Sequence, residues 1–207
     1  SLKPYLSKGA QRLALSERAL LETVQTRFLE TSPARQSYHH RLGNFFDGLT
    51  WSLRKAEQLP LQRAAASDWP GLRVVLLDPN FAELGERLGT GQCELWWRVL
   101  AESTGQPIAA LVDSVWGQAP LRTRLLLLRV LLRDRHFAAI GRRLAEWEIP
   151  DGDLAAEVFN LRGIVASETG NDAAAARAWE QLARLGRNSG DARAQATACD
   201  GQALLVL

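Results

Sequence analysis

The sequence predicts an all-α protein made of helical hairpins that follow one another along the chain. Three observations lead there. Apolar residues recur at helical spacing in almost every segment. Cap-plus-proline starts and Gly or Asn stops come at intervals that allow only short helices with short links. From residue 120 onward, glycines, alanines and tryptophans recur at matching places in successive segments. Residues 1–60 read as an N-terminal antiparallel helical hairpin, 61–119 as an irregular helical middle, and 120–207 as repeats over 120–150, 153–187 and, in part, 190–207.

From Lys8 to about Glu30 the apolar residues are Leu13, Leu20, Val24 and Phe28, one stripe of a helix. Thr31-Ser32-Pro33 ends it and starts the next, with Ser32 expected as the cap and Pro33 in the first turn. The second helix carries Leu42, Phe45, Phe46, Leu49, Leu53 and Ala56 on one face. Pro60 and Trp69-Pro70-Gly71 break the pattern. LRVVLLD, 72–78, is expected to be extended or a short buried turn. Asp78-Pro79 opens another helix, and Gly89 closes it. Helices follow at roughly 92–103, 107–117, 120–133, 136–148, 153–169, 172–185 and 191–207.

RGIVASETGNDAAAARAWEQL, 162–182, explains the small residues. Gly163 stands inside a helix, where glycine costs about 1 kcal/mol relative to alanine. Close approach of a second helix through Ala175 is the expected compensation, with Gly170-Asn171 as the turn. Trp179 and Leu182 then reach from the second helix towards the next hairpin. Phe159, Gly163, Ala175 and Trp179 together resemble a tetratricopeptide repeat. Arg162, where that family prefers leucine, Ala166, where it prefers tyrosine, and the lack of a proline near 187 depart from it. Ile140, Gly141, Leu144 and Trp147 stand in register with Ala175, Ala176, Trp179 and Leu182 at an offset of 35. Leu128 then aligns with Gly163, and Gly201 lies 38 after it, on a face with Ala194, Thr197, Ala198 and Leu204. LARLGRNSGDARAQA, 182–196, is similar to the arms of large bacterial regulators of the maltose-activator type. The resemblance covers about 120–207. It implies a right-handed solenoid whose first helices line a concave surface, continued beyond residue 207 or capped by a lone helix.

Composition narrows function by exclusion. A net charge of +2 gives no footprint for nucleic acid. The longest apolar run, 125–132, holds Arg129 and is too short to span a membrane. Cys93 and Cys199 stand alone, without a metal-ligand or redox motif, so a reducing compartment is the default. Cys93 is expected to pack. Adjacent His39 and His40 point to different sides of a helix and cannot share one metal. GxSxG, P-loop and strand-flanked GxGxxG patterns are missing; LGTGQC, 88–93, fits none of them. The expectation is no enzyme, no cofactor and no metal.

Charge is patterned. Seven arginines between 120 and 145 face only Asp134, and seven acids between 146 and 172 face only Arg162. Either adjacent units pair these charges, or Arg124, Arg135, Arg142 and Arg143 form a ridge for an acidic partner segment. Helix phase adds Asn160, Gln195 and Asp200, with Arg124, as polar first-helix positions. Trp96 and Trp97 cannot both face one core stripe, so Trp97 joins the candidate contact residues.

The leading expectation is a non-catalytic adaptor that holds a peptide or helix of another protein. The alternatives are a sensory or regulatory arm of a larger bacterial signalling or transcription-regulatory protein, and a scaffold subunit of an envelope or secretion assembly. A chain that starts at Ser1 and holds no Met suggests an excised piece. Its expected location is the cytoplasm, or the periplasm or a membrane anchor if flanking segments were removed.

Overall fold

A computed structural model describes residues 6–9, 12–15, 31–88, 91–149 and 153–205. Among them are eleven helices and one two-stranded antiparallel hairpin, so the described residues are all-α apart from eight in strands. Contacts divide it into two units, 1–75 and 76–207.

In the first unit, Leu6–Gly9 (β1) pairs with Arg12–Leu15 (β2), Leu6 opposite Leu15 and Gly9 opposite Arg12. The helix expected from Lys8 does not form here. The stripe itself holds the reason: its first step, Leu13 to Leu20, skips a turn occupied by Ser16 and Glu17, and Gly9 is a poor helix former. Leu20, Val24 and Phe28, and the packing expected of them, lie outside the described residues.

Helix α1 is Ser32–Asp47. Thr31, not Ser32, caps it: Thr31 Oγ1 accepts from Ala34 N at 3.3 Å, with Pro33 in the first turn. The single helix expected through Ala56 is instead two. α1 stops at Gly48, and α2, Leu53–Ala65, starts where Ser52 Oγ accepts from Lys55 N. Lys55 accounts for the break. Its Nζ donates to the carbonyls of Asp47 and Leu49, both at 2.7 Å, and lies over the Trp51 ring. The first is an end-of-helix carbonyl, which has no intrahelical partner, and the second lies in the link just past the cap. Contacts between Asp47 and Lys55, His39 and Gln62, and Gln36 and Ser67 run in opposite directions along the two helices, so α1 and α2 are antiparallel. Pro60 lies inside α2 and does not end it.

Trp69–Leu77 is helix α3, which corrects the extended segment expected over 72–78. Asp68 heads it, its Oδ1 accepting from Gly71 N at 3.0 Å. Leu72, Val75 and Leu76 are buried at helical spacing and Val74 is exposed. Asp68 and Pro70 are the same start signal that marks Asp78-Pro79.

The second unit continues with α4 (Pro79–Leu88), α5 (Gln92–Thr104), α6 (Ile108–Trp116), α7 (Leu121–Arg133), α8 (Phe137–Ala145), α9 (Asp153–Glu168), α10 (Asp172–Ser189) and α11 (Ala192–Leu204). These follow the expected segments to within about one turn. Gly89 lies outside the described residues. Helix α7 is the centre: it touches α4, α5, α6, α8 and α9, which is why LLLLRVLL is apolar almost all round. Leu125, Leu127, Leu128 and Leu131 are fully buried there. Consecutive helices pack from α4 to α11, and the alternate helices α7, α9 and α11 also touch in series. None of the described helices is long and apolar enough to cross a membrane.

Candidate binding groove

Trp179 fixes the spacing of the last three helices. Its side chain is 2% exposed and lies against Gly163 of α9 on one side and Gly201 of α11 on the other. A Cβ at either glycine would overlap the indole. Gly163 therefore receives Trp179, and Ala175 is buried in the same core cluster with Leu182, Ala194 and Ala198. At the far end of α10, Gly186 lets α11 approach, with Gln195 N 3.0 Å from where a Cβ would stand.

This spacing leaves one side of α7, α9 and α11 as the wall of a half-open groove of about 720 Å³, closed at one end by α4 and α5. Arg122, Leu126, Arg129 and Leu132 contribute from α7, at helical spacing. Glu157, Asn160, Leu161 and Ile164 contribute from α9, and Arg193, Ala194 and Thr197 from α11. Leucine and isoleucine make the floor. Most charges on its rim are already committed. Arg129 pairs with Glu157, and Arg133 reaches Glu94 at 3.5 Å. Asp191 accepts from the amides of Arg193 and Ala194 as the cap of α11. The Arg193 side chain is exposed and has no partner among the described residues.

Of the residues expected to bind a partner, Asn160 lines the groove. Arg124 does not. Its Nε donates to Trp116 O at 3.1 Å and its guanidinium lies over the Trp116 ring, so it closes the end of α6. Two residues of helix turn a side chain by about 200°, and Arg122 and Leu126 hold the groove face. Arg143 is turned inward, 7% exposed, donating to Ala139 O at 2.7 Å, pairing with Asp113 and stacking on Trp116. It is not on an accessible ridge. Arg135 is exposed, over Phe137 and 3.2 Å from Glu168. Arg142 is exposed with no partner among the described residues. Gln195 donates to Gly186 O at 3.1 Å, tying α11 to α10, and Asp200 is exposed outside the groove. Trp97 is a correction: it is completely buried in α5, and its neighbour Trp96 is the half-buried one. Arg129–Glu157 and Arg135–Glu168 are charge pairs between adjacent segments, the first of the two arrangements expected for this pattern.

His39 Nδ1 donates to Gln62 Oε1 at 2.7 Å. Both cysteines are free; Cys93 is buried against Gly85 and Cys199 is exposed. Among the described residues no group of three or more His, Cys, Asp or Glu side chains is placed to hold a metal. What sequence reading missed is Arg122, Arg129, Arg193 and Thr197, because repeat register specifies which helix faces a groove more closely than it specifies helix phase. No protein-family model, curated protein or solved structure matches the chain.

Proposed function

We propose that this chain is a non-catalytic interaction module whose groove holds a peptide or helical segment of another protein. The observation that carries the reading is the joint lining of one groove by the alternate helices α7, α9 and α11. That is the surface expected of a tetratricopeptide-like array, in which first helices present side chains and second helices support them. An apolar floor with a polar rim suits a partner helix or peptide, apolar anchors inward and polar groups at the edge. Rigid helices carry the lining, so little ordering is required on binding.

The test is selection from a displayed peptide library, followed by affinity measurement on the selected sequences. Asn160→Trp, which fills the middle of the groove, should weaken binding at least about tenfold with unchanged circular dichroism. Undiminished binding to that variant would remove the groove from the mechanism.

A second reading has one observation in its favour. A cavity of about 720 Å³ is within the size range of small-molecule sites. A sensory arm of a regulator would use it that way. A metabolite panel that raises the melting temperature, where no peptide is selected, would replace the first reading with this one.

A further inference from the structure

We infer that the outer face of α1 is a second docking surface, and that it takes an acidic amphipathic helix of another protein. The groove belongs to the second unit and this face to the first. Tyr38, Leu42 and Phe45 stand at i, i+4 and i+7 of α1, on one side of the helix. Tyr38 is 40% exposed, Phe45 60%, and Leu49, just past the helix end, 41%. Leu42 between them is half-buried. A different side of α1 is used inside the molecule, where Phe46 and Gly43 are buried and Gly43 lies against the Arg63 side chain of α2. Neighbouring large apolar side chains in water mark an interaction surface, as singly scattered ones do not.

The charge beside this stripe has one sign. By helix phase Arg35 and Arg41 lie on its two flanks, both exposed and without a side-chain partner among the described residues. Asp47, the one acid in the sequence of α1, is turned to α2 and bound by Arg63 at 2.9 Å. Arg63 also binds Asp68, at 2.8 Å. Glu57 stands on α2 one turn from Arg54, which offsets it. Over 31–75 six Lys and Arg stand against three Asp and Glu, and over 1–75 eleven against six. Pairing within the unit cannot remove that surplus. A second copy is therefore a poor occupant, because a two-fold pairing of α1 sets like-charged faces together. A helix with leucines on one side and Glu or Asp beside them matches both features, apolar on apolar and carboxylate on guanidinium.

Three labelled fifteen-residue peptides test this on the full chain: leucines at helical spacing flanked by Glu, and the same peptide with Gln or with Lys. The expected order of affinity is Glu over Gln over Lys, with the Glu peptide weakened by salt. Phe45→Gln removes the apolar anchor without changing charge. It should weaken the Glu peptide at least about tenfold with an unchanged melting temperature. Arg41→Glu should weaken it about fivefold, whereas Arg142→Glu, the same change in the second unit, should alter it less than about twofold. Asn160→Trp, which fills the groove, should leave the Glu peptide bound.

Failure of the Glu peptide to bind, equal binding of all three peptides, or undiminished binding to Phe45→Gln would overturn the inference and leave the groove reading standing. Loss of binding in Asn160→Trp would move the peptide to the groove and overturn it too. A lowered melting temperature in Phe45→Gln would mean that this chain covers the face itself. Self-association that Phe45→Gln abolishes, seen by sedimentation, would assign the face to a second copy. Binding to phosphatidylserine vesicles that depends on Phe45 and excludes the Glu peptide would assign it to a lipid surface. Each of these three outcomes would overturn the inference.

Discussion

Two hairpins in this molecule have the same outline and opposite chemistry. In α1/α2 the helices are tied by long polar side chains. Arg63 of α2 is 8% exposed and reaches Asn44 and Asp47 of α1 and Asp68 at the head of α3, while Lys55 caps the end of α1. In α9/α10 the contact is a glycine and an indole, with a third helix closing over the other face of the ring. Shape holds the second hairpin, and charge with hydrogen bonding holds the first. The difference decides how each will fail. Shape-based contacts tolerate neither removal nor enlargement, because interiors are close-packed. Polar ties to half-exposed carboxylates can be broken and rehydrated.

The largest effect should come at Trp179. Trp179→Ala leaves a cavity among three helices and should cost about 3–5 kcal/mol of unfolding free energy, read by denaturant titration. Trp179→Phe should cost far less, because the buried indole Nε1 has no hydrogen-bond partner to lose among the described residues. Enlargement tests the same contact from the other side. Gly163→Ala should cost about 1–3 kcal/mol alone and much less in the Trp179→Phe background. Additive losses in that double-mutant cycle would mean that Gly163 does not receive the ring.

Arg63 comes next. Removing one partner of a fully buried ion pair costs about 3–5 kcal/mol. Here Asp47 is 55% exposed and Asp68 22%, so both can regain water. Arg63→Met, which keeps the stem packed at Gly43, should therefore cost about 2 kcal/mol. The loss should fall on the first unit, seen as faster amide exchange in α1 and α2 with α9–α11 unchanged. A loss as large as that of Trp179→Ala would contradict the contrast between the two hairpins.

The same contrast explains what could be read from the sequence. The helices of the second unit are bounded by local signals, such as Gly105, Gly170 and Gly190 at their ends, and local signals are legible. The apolar stripe of the first unit runs without a gap across Gly48, from Phe46 to Ala56. Lys55, which splits it, acts through carbonyls six and eight residues away. No periodicity reports such a bond. In the groove, repeat register pointed to the helices and helix phase placed Asn160 correctly, while the phase of α7 was off by the two residues that separate Arg124 from Arg122. Trp97 went to the core and Trp96 stayed half-buried, a choice that periodicity leaves open for adjacent tryptophans.

Helix ends offer the smallest test, and the one with the opposite sign. α5, α9 and α10 finish on glycines with φ of 65°, 74° and 73°, whereas α2 finishes on Ser67 at 56°. The bonding is the same in kind: Ser67 N donates to Ala64 O and Asp68 N to Arg63 O, both at 2.9 Å. A left-handed residue with a Cβ costs about 1 kcal/mol relative to glycine, and glycine gives some of that back through the entropy of the unfolded chain. The bond that Ser67 Oγ accepts from Gln36 is exposed and 3.3 Å long, so its loss costs little. Ser67→Gly should raise stability by about 0.5 kcal/mol, measured as a higher denaturation midpoint with unchanged slope. A fall in the midpoint would show that the Gln36–Ser67 bond matters more than the backbone strain, and that the first unit depends on polar ties even at its surface.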